Sequence, residues 1–242
     1  MIYDLAIIGA GSGGLSVAAA AAQFGQKVIL FEKGKMGGDC LNYGCVPSKA
    51  LIAAAKQAHV FRTSGPYGIA AAEPKVDFKK VRDHIRKVIA AIEPHDSAAR
   101  FEKLGVKVVP GAAKFRDAKT LESGGSIFSA KRIVIATGSR PAVPAIPGLE
   151  TVAYFTNETI FENSVLPKHL IIIGGGAIGM ELAQAHRRLG SAVTVIEAFT
   201  PLAKDDPELA AVVLESLRRD GVKIFAETAI KKISKAKSGI AI

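Results

Sequence analysis

Short apolar runs alternate along this chain with longer stretches whose apolar positions recur at helical spacing. Ile2 to Ile8 reads as a buried strand, a glycine-rich turn follows, and an alanine-rich helix runs to about Phe24. Lys27 to Phe31 predicts a second strand, ending at Glu32. The same order returns later: a strand at Leu170 to Ile173, a glycine turn at 174–179, a helix to about Leu189, and a strand from Ala192 to Ile196 ending at Glu197. Strand, turn, helix and strand make the β-α-β unit of α/β folds. The two units share one ruler. Glu32 lies 23 positions after Gly9, and Glu197 lies 23 positions after Gly174. Equal spacing predicts two domains of one type.

The region between them predicts a helix from Ser48 to about Phe61. Val81, Ile85, Val88, Ile89 and Ile92 then recur at helical spacing within residues 76–104, where Pro94 should bend or interrupt the helix. Lys131 to Ala136 reads as a strand ending at Thr137-Gly138. Pro141, Pro144 and Pro147 follow closely, so the stiff segment they form marks the expected boundary between domains 1–147 and 148–242.

Composition narrows the class. Of 242 residues, 49% are apolar and 22% charged, which suits a globular protein with a real core. The net charge of +10 raises the question of nucleic acid. Only Lys231, Lys232, Lys235 and Lys237 cluster, no aromatic stripe accompanies them, and Trp is absent, so a solvated basic surface is the expectation. Ile2 to Ala22 is apolar and small, but it lacks a basic leader, carries Asp4, and is broken by Gly9, Gly11, Gly13 and Gly14. No apolar run is long enough to span a membrane, and two cysteines do not make a secreted disulfide scaffold. A cytoplasmic protein without nucleic-acid or membrane partners is expected.

The glycine turns carry chemistry. Gly9, Gly11 and Gly14 form G-x-G-x-x-G after a strand, with Ser12 and Gly13 between. The first glycine permits the turn, the second lets a pyrophosphate approach, and the third lets helix and strand pack closely. The helix start offers amides and positive dipole to phosphates, and Glu32 is placed to accept ribose hydroxyls. Gly174, Gly175, Gly176, Ala177, Ile178 and Gly179 repeat the argument with Glu197. A carboxylate at that ribose repels a 2′-phosphate, favouring NAD over NADP. The expected fold is α/β with two Rossmann-like dinucleotide-binding domains.

Cys40 and Cys45 are the only cysteines, set in Gly37-Gly38-Asp39-Cys40-Leu41-Asn42-Tyr43-Gly44-Cys45-Val46-Pro47-Ser48-Lys49. They are buried inert thiols, part of a metal site, or a redox pair. A closed zinc site needs two more ligands, and His59, His84, His95, His169 and His186 are dispersed, so no metal is expected. A helix start near Pro47 and Ser48 favours a reactive thiol beside it. Lys49 and Glu181 each pass for surface residues, and spacing alone does not join them.

In these motifs the chain resembles the class I pyridine nucleotide-disulfide oxidoreductases, which include dihydrolipoamide dehydrogenase, glutathione reductase and mercuric reductase. The segment 37–51, both fingerprints and Ala136-Thr137-Gly138 stand in the family's order. The resemblance implies an FAD domain followed by an incomplete NAD domain. FAD would be held by Gly9, Gly11, Ser12, Gly13, Gly14, Glu32, Lys33, Gly38, Asp39, Cys40, Cys45 and Lys49, with Ala113, Ala136, Thr137, Gly138 and Ser139. The nicotinamide nucleotide would be held by 174–179, Glu181 and Glu197. Cys45 is implied as the thiol facing the flavin, forming a charge-transfer complex, and Cys40 as the thiol that exchanges with a small dithiol or disulfide. Lys49, paired with Glu181, is implied near the flavin N5. Asp39 departs from the family's usual threonine, and Tyr43 occupies a variable position. The family's longer members also carry an interface domain whose His-Glu pair acts from the partner of a homodimer, and none of the five histidines here matches it. The chain therefore reads as the N-terminal part of a longer protein, inactive by itself.

Overall fold

The structure, a computed structural model, describes residues 1–237 and 239–242. Its first elements are β1 (Ile2–Ile8), α1 (Ser12–Gln23), β2 (Val28–Glu32), α2 (Gly38–Asn42) and α3 (Cys45–Thr63). Then come α4 (Phe78–Ile92), α5 (Ala98–Lys103), β3 (Lys107–Pro110), β4 (Lys114–Asp117), β5 (Thr120–Ser123) and β6 (Ser126–Ile135). The last are β7 (His169–Ile173), α6 (Ala177–Leu189), β8 (Ala192–Ile196), α7 (Pro207–Arg219), β9 (Lys223–Phe225), β10 (Ser234–Ala236) and β11 (Gly239–Ala241). Contacts divide the chain into two compact units, Met1–Pro47 with Arg86–Pro141, and Ser48–Ile85 with Ala142–Ile242.

The first unit holds a six-stranded sheet in the order β3-β2-β1-β6-β5-β4. β3, β2, β1 and β6 run parallel, whereas β5 and β4 fold back antiparallel. Alternation along each strand sorts the core into two layers. Ile7, Val28 and Leu30 pack with Leu15 and Ala18 of α1 and with Phe101. Ala6, Ile29 and Phe31 face the other side, against Leu121 and Ala130. Burial on both faces explains why β1 and β2 read as nearly continuous apolar runs. Alanines supply the propensity of α1, and Gly25, at φ 70°, ends it by donating to the Ala22 carbonyl.

The second unit repeats the parallel pattern on a smaller scale, with β7-β8-β9 in order. Its core joins Val193 and Val195 to Met180 and Ala183 of α6 and to Ala210 and Leu217 of α7. Among the described residues, no helix is long and apolar enough to cross a membrane.

Three boundaries differ from expectation. The helix after the cysteines starts at Cys45, not Ser48. Pro47 is its third residue, where the missing N–H is one that a helix start leaves unpaired anyway. The 76–104 stretch is two helices joined by a 3₁₀ turn at Glu93–Asp96 that contains Pro94. β6 begins at Ser126, because the β5–β6 hairpin extends it before the parallel pairing with β1.

Candidate functional site

In the first unit three separate segments meet at the glycine turn. Gly9 has φ 106°, and a Cβ on it would lie 2.2 Å from the Ala136 carbonyl oxygen and 3.3 Å from Thr137 Cα. Both its backbone and its neighbours therefore require glycine. A Cβ on Gly14 would fall 1.9 Å from the Gly9 carbonyl oxygen, so α1 and its preceding turn are in backbone contact. The Gly37–Gly38 turn closes the group. Gly37 N–H donates to the Ala10 carbonyl at 2.9 Å, and a Cβ on Gly38 would meet Gly11 Cα at 2.5 Å. The segment that carries the cysteines is thereby fastened to the first fingerprint.

Glu32 stands over the same turn. Its carboxylate accepts from Ala10 N–H and Gly34 N–H, each at 2.7 Å. Glu197 does the same in the second unit, accepting from Gly175 N–H at 2.6 Å and Phe199 N–H at 2.8 Å. Gly174, again at φ 106°, donates to the Ile196 carbonyl as Gly9 does to Phe31. A Cβ on Gly179 would sit 2.3 Å from the Gly174 carbonyl oxygen, which repeats the Gly14 contact.

Gly11, Gly13 and Gly176 have no such internal reason. Gly11 and Gly176 cap α1 and α6 with φ −80° and −77°, which any residue adopts. A Cβ on Gly11 would make only an ordinary 3.7 Å contact, and one on Gly13 or Gly176 would meet nothing within 4 Å. Neither cap makes a side-chain hydrogen bond, although Ser97 and Asp206 cap α5 and α7 in that way. Open space, missing side chains and uncapped helix starts suit a bound diphosphate. The residues present therefore fit dinucleotides at both turns.

Cys40 lies within α2, partly buried, and Cys45 is the exposed first residue of α3. They are thiols, not a disulfide. Burial pushes the Cys40 thiol's pKa up, and a hydrogen bond with the Cys45 thiol adds to this. Cys40 is thus held protonated against its neighbour.

Lys49 and Glu181, both in the second unit, meet. Lys49 Nζ donates to both carboxylate oxygens at 2.6 Å. Of the other expected residues, Ala113 packs into the layer around Ala6, Ile29 and Phe31, while Lys33, Thr137, Gly138 and Ser139 are exposed.

Two features escaped the sequence reading. The carboxylates of Asp39 and Asp96 border the cysteine segment at Gly44 and Gly37 respectively. A polar pocket in the second unit is lined by His59, Arg62, Glu73, Arg187, Arg188 and Asp220. It lies at the C-terminal ends of α3, α6 and α7, where cations complement the helix dipoles. Glu73 takes two donors of Arg62, and Asp220 takes Arg188, so the pocket is a structural cluster. No linear signal marks it, because Arg62 and Arg188 stand 126 positions apart.

The family model described as pyridine nucleotide-disulphide oxidoreductase matches residues 3–241. A mercuric reductase from Streptomyces lividans is 38% identical over 98% of this chain and 52% of its own length. A dihydrolipoyl dehydrogenase from Thermus scotoductus is 36% identical over 98% of this chain and 51% of its own. The HOCl-induced flavoprotein disulfide reductase RclA from Escherichia coli superposes with a TM-score of 0.83 at 28% identity, over 98% of this chain and 52% of that one. The chain spans about half the length of these relatives.

Proposed function

Because the chain belongs to the pyridine nucleotide-disulphide oxidoreductase family, we propose that it is the nucleotide-binding part of an FAD- and NAD-dependent dithiol/disulfide oxidoreductase of dihydrolipoamide dehydrogenase type. One observation carries the reading most. The hydrogen-bonded pair Cys40 and Cys45 lies on a segment pinned, through Gly37 and Gly38, to the first dinucleotide turn. Residues 1–147 would serve FAD and 148–242 the nicotinamide nucleotide.

Gly9, Gly11, Gly13, Gly14 and the start of α1 would hold the FAD diphosphate, and Glu32 would take its ribose through lone pairs that Ala10 and Gly34 leave unused. Bound FAD would supply hydride acceptance from the nicotinamide and two-electron exchange with the cysteines. Gly174, Gly176 and the start of α6 would hold the second dinucleotide. Glu197, fixed by two backbone amides, would put negative charge where NADP carries a phosphate, and no Lys or Arg lies between Glu197 and Lys204. NAD is therefore the proposed partner. Lys49 lies one turn after Cys45 on α3, and its bond to Glu181 fixes the ammonium's direction.

The thiol chemistry balances on the chain's own residues. A substrate thiolate attacks Sγ of Cys40 in the oxidised pair, and Cys45 leaves as thiolate. The second substrate thiol then displaces Cys40 from the mixed disulfide. The substrate loses two electrons and two protons, and the cysteine pair gains the electrons. Reduction of mercuric ion is the second reading, supported by the identity to the Streptomyces protein. A non-catalytic nucleotide-binding role is the rival of another class. Cytoplasmic location and a homodimeric parent complete the proposal.

The test is a thiol count. Oxidised chain loaded with FAD is treated anaerobically with NADH and then alkylated. Two new alkylated cysteines per chain are expected, since the chain has only two. Flavin that bleaches with no new thiol would leave the cysteines outside the reaction.

A further inference from the structure

Four arginines line the polar pocket of the second unit, and two of them are occupied by the pairs already described. Arg62 is bonded to Glu73, and Arg188 to Asp220. Arg187 and Arg219 are surplus to those pairs. Arg187 Nε is buried and donates to nothing among the described residues. The one hydrogen bond of its guanidinium is a long contact, 3.4 Å, to the Ser191 carbonyl. Glu73 does not serve as its partner: the Glu73 carboxyl is held below its ordinary range first by the bond to Arg62, and Arg187 adds only a longer-range attraction. Arg219 is exposed, and among the described residues it makes no side-chain hydrogen bond or ion pair.

The carbonyls at the nearby helix ends are already satisfied. That of Arg188 accepts from Arg62, that of Arg187 from Gly190 N–H at 3.1 Å, and that of Arg218 from Gly221 N–H at 2.9 Å. Gly221, at φ 89°, also seats the Arg187 guanidinium, since a Cβ there would lie 2.9 Å from its Nε. Around a cavity of about 370 Å³, four guanidinium groups meet the carboxylates of Glu73 and Asp220, which leaves two positive charges in excess. An arginine without an acceptor carries its desolvation cost uncompensated. An oxyanion that accepts from the planar fork removes that cost through charge-assisted hydrogen bonds.

We propose that this cavity binds a small dianionic oxyanion, inorganic phosphate or a phosphate monoester, held by Arg187 of α6 and Arg219 at the end of α7. Two excess charges match a dianion, and the cavity's size suits a small ligand. The site stands apart from the dinucleotide turn. α6 starts at that turn and reaches the pocket only with its last residues, about 20 Å further on for a helix of thirteen residues. It is independent of the redox chemistry of the cysteines.

Isothermal titration of the chain with inorganic phosphate, and separately with glycerol phosphate, at constant ionic strength in chloride, tests the site. Saturable binding is expected, and NAD should not compete with it. Arg187→Gln and Arg219→Gln should each weaken it about tenfold, the order for one lost charge-assisted hydrogen bond. Arg218→Gln removes the same charge from a neighbour outside the lining and should leave the affinity unchanged. Arg219 has no side-chain bond to lose, so its variant carries the test even where Arg187→Gln fails to fold. Glycerol phosphate binding as tightly as inorganic phosphate would assign the site to monoesters, and tighter binding of inorganic phosphate would assign it to the free ion. Absence of saturable binding by either, competition by NAD, an affinity indifferent to Arg219→Gln, or an equal loss in Arg218→Gln would overturn the proposal.

Discussion

Gly13 and Gly14 are neighbours on α1, yet alanine should act on them with opposite sign. Gly14 is buried, and an added Cβ would lie 1.9 Å from the Gly9 carbonyl oxygen, 3.0 Å from its carbon and 3.4 Å from Ile7 Cγ2. Real contacts of this kind do not fall below 3.0 Å, so helix and turn must part by at least about 1.1 Å. Overpacking of that kind costs ~1–3 kcal/mol. The helical preference for alanine over glycine returns ~0.5–1 kcal/mol. The net loss for Gly14→Ala is ~0–2.5 kcal/mol and centred near ~1 kcal/mol, a fall of up to ~10 °C in the thermal midpoint for a chain of this length. Gly13 is exposed and its Cβ meets nothing within 4 Å, so Gly13→Ala keeps the helical gain alone and should rise by ~1–4 °C. Thermal unfolding followed by circular dichroism decides the matter. Equal shifts in the two variants, or a Gly14→Ala protein more stable than wild type, would refute the contact argument.

Further expectations follow from the same geometry. Gly11→Ala should leave the unfolding midpoint nearly unchanged, since its contact is an ordinary 3.7 Å, yet weaken FAD retention measured by equilibrium dialysis. Lys49→Met should change stability by no more than about 1 kcal/mol in urea titration, because the Lys49 and Glu181 side chains are 59% and 38% exposed and solvent screens the pair. His186 is buried on α6, and that burial pushes its pKa below the ordinary 6.5. The stability from its neutral form is therefore fully present above about pH 6.5. It falls as the pH drops from there, because the unfolded chain takes up a proton that the folded one resists. Urea midpoints measured from pH 7.5 down to 5 should show that decline, and His186→Phe should flatten it.

The β-α-β units were legible because glycine spacing and two-sided burial leave a signal within about thirty residues. The antiparallel strands were not. All four residues of β4 are exposed, so no alternation marks it, and β5 is as short. α7 has legible start signals in Asp206 and Pro207, and Asp206 does cap it. Lys49 and Glu181 stand 132 positions apart, so family resemblance could suggest their pairing where local pattern could not.

The central claim is that Cys45 faces a flavin held by the first glycine turn. The direct measurement is the visible absorption spectrum of the FAD-loaded chain before and after one equivalent of a dithiol. The account predicts a flavin spectrum that gains a long-wavelength charge-transfer band, absent from Cys45→Ser. A flavin spectrum indifferent to dithiol, or a chain that takes up no FAD, would contradict it.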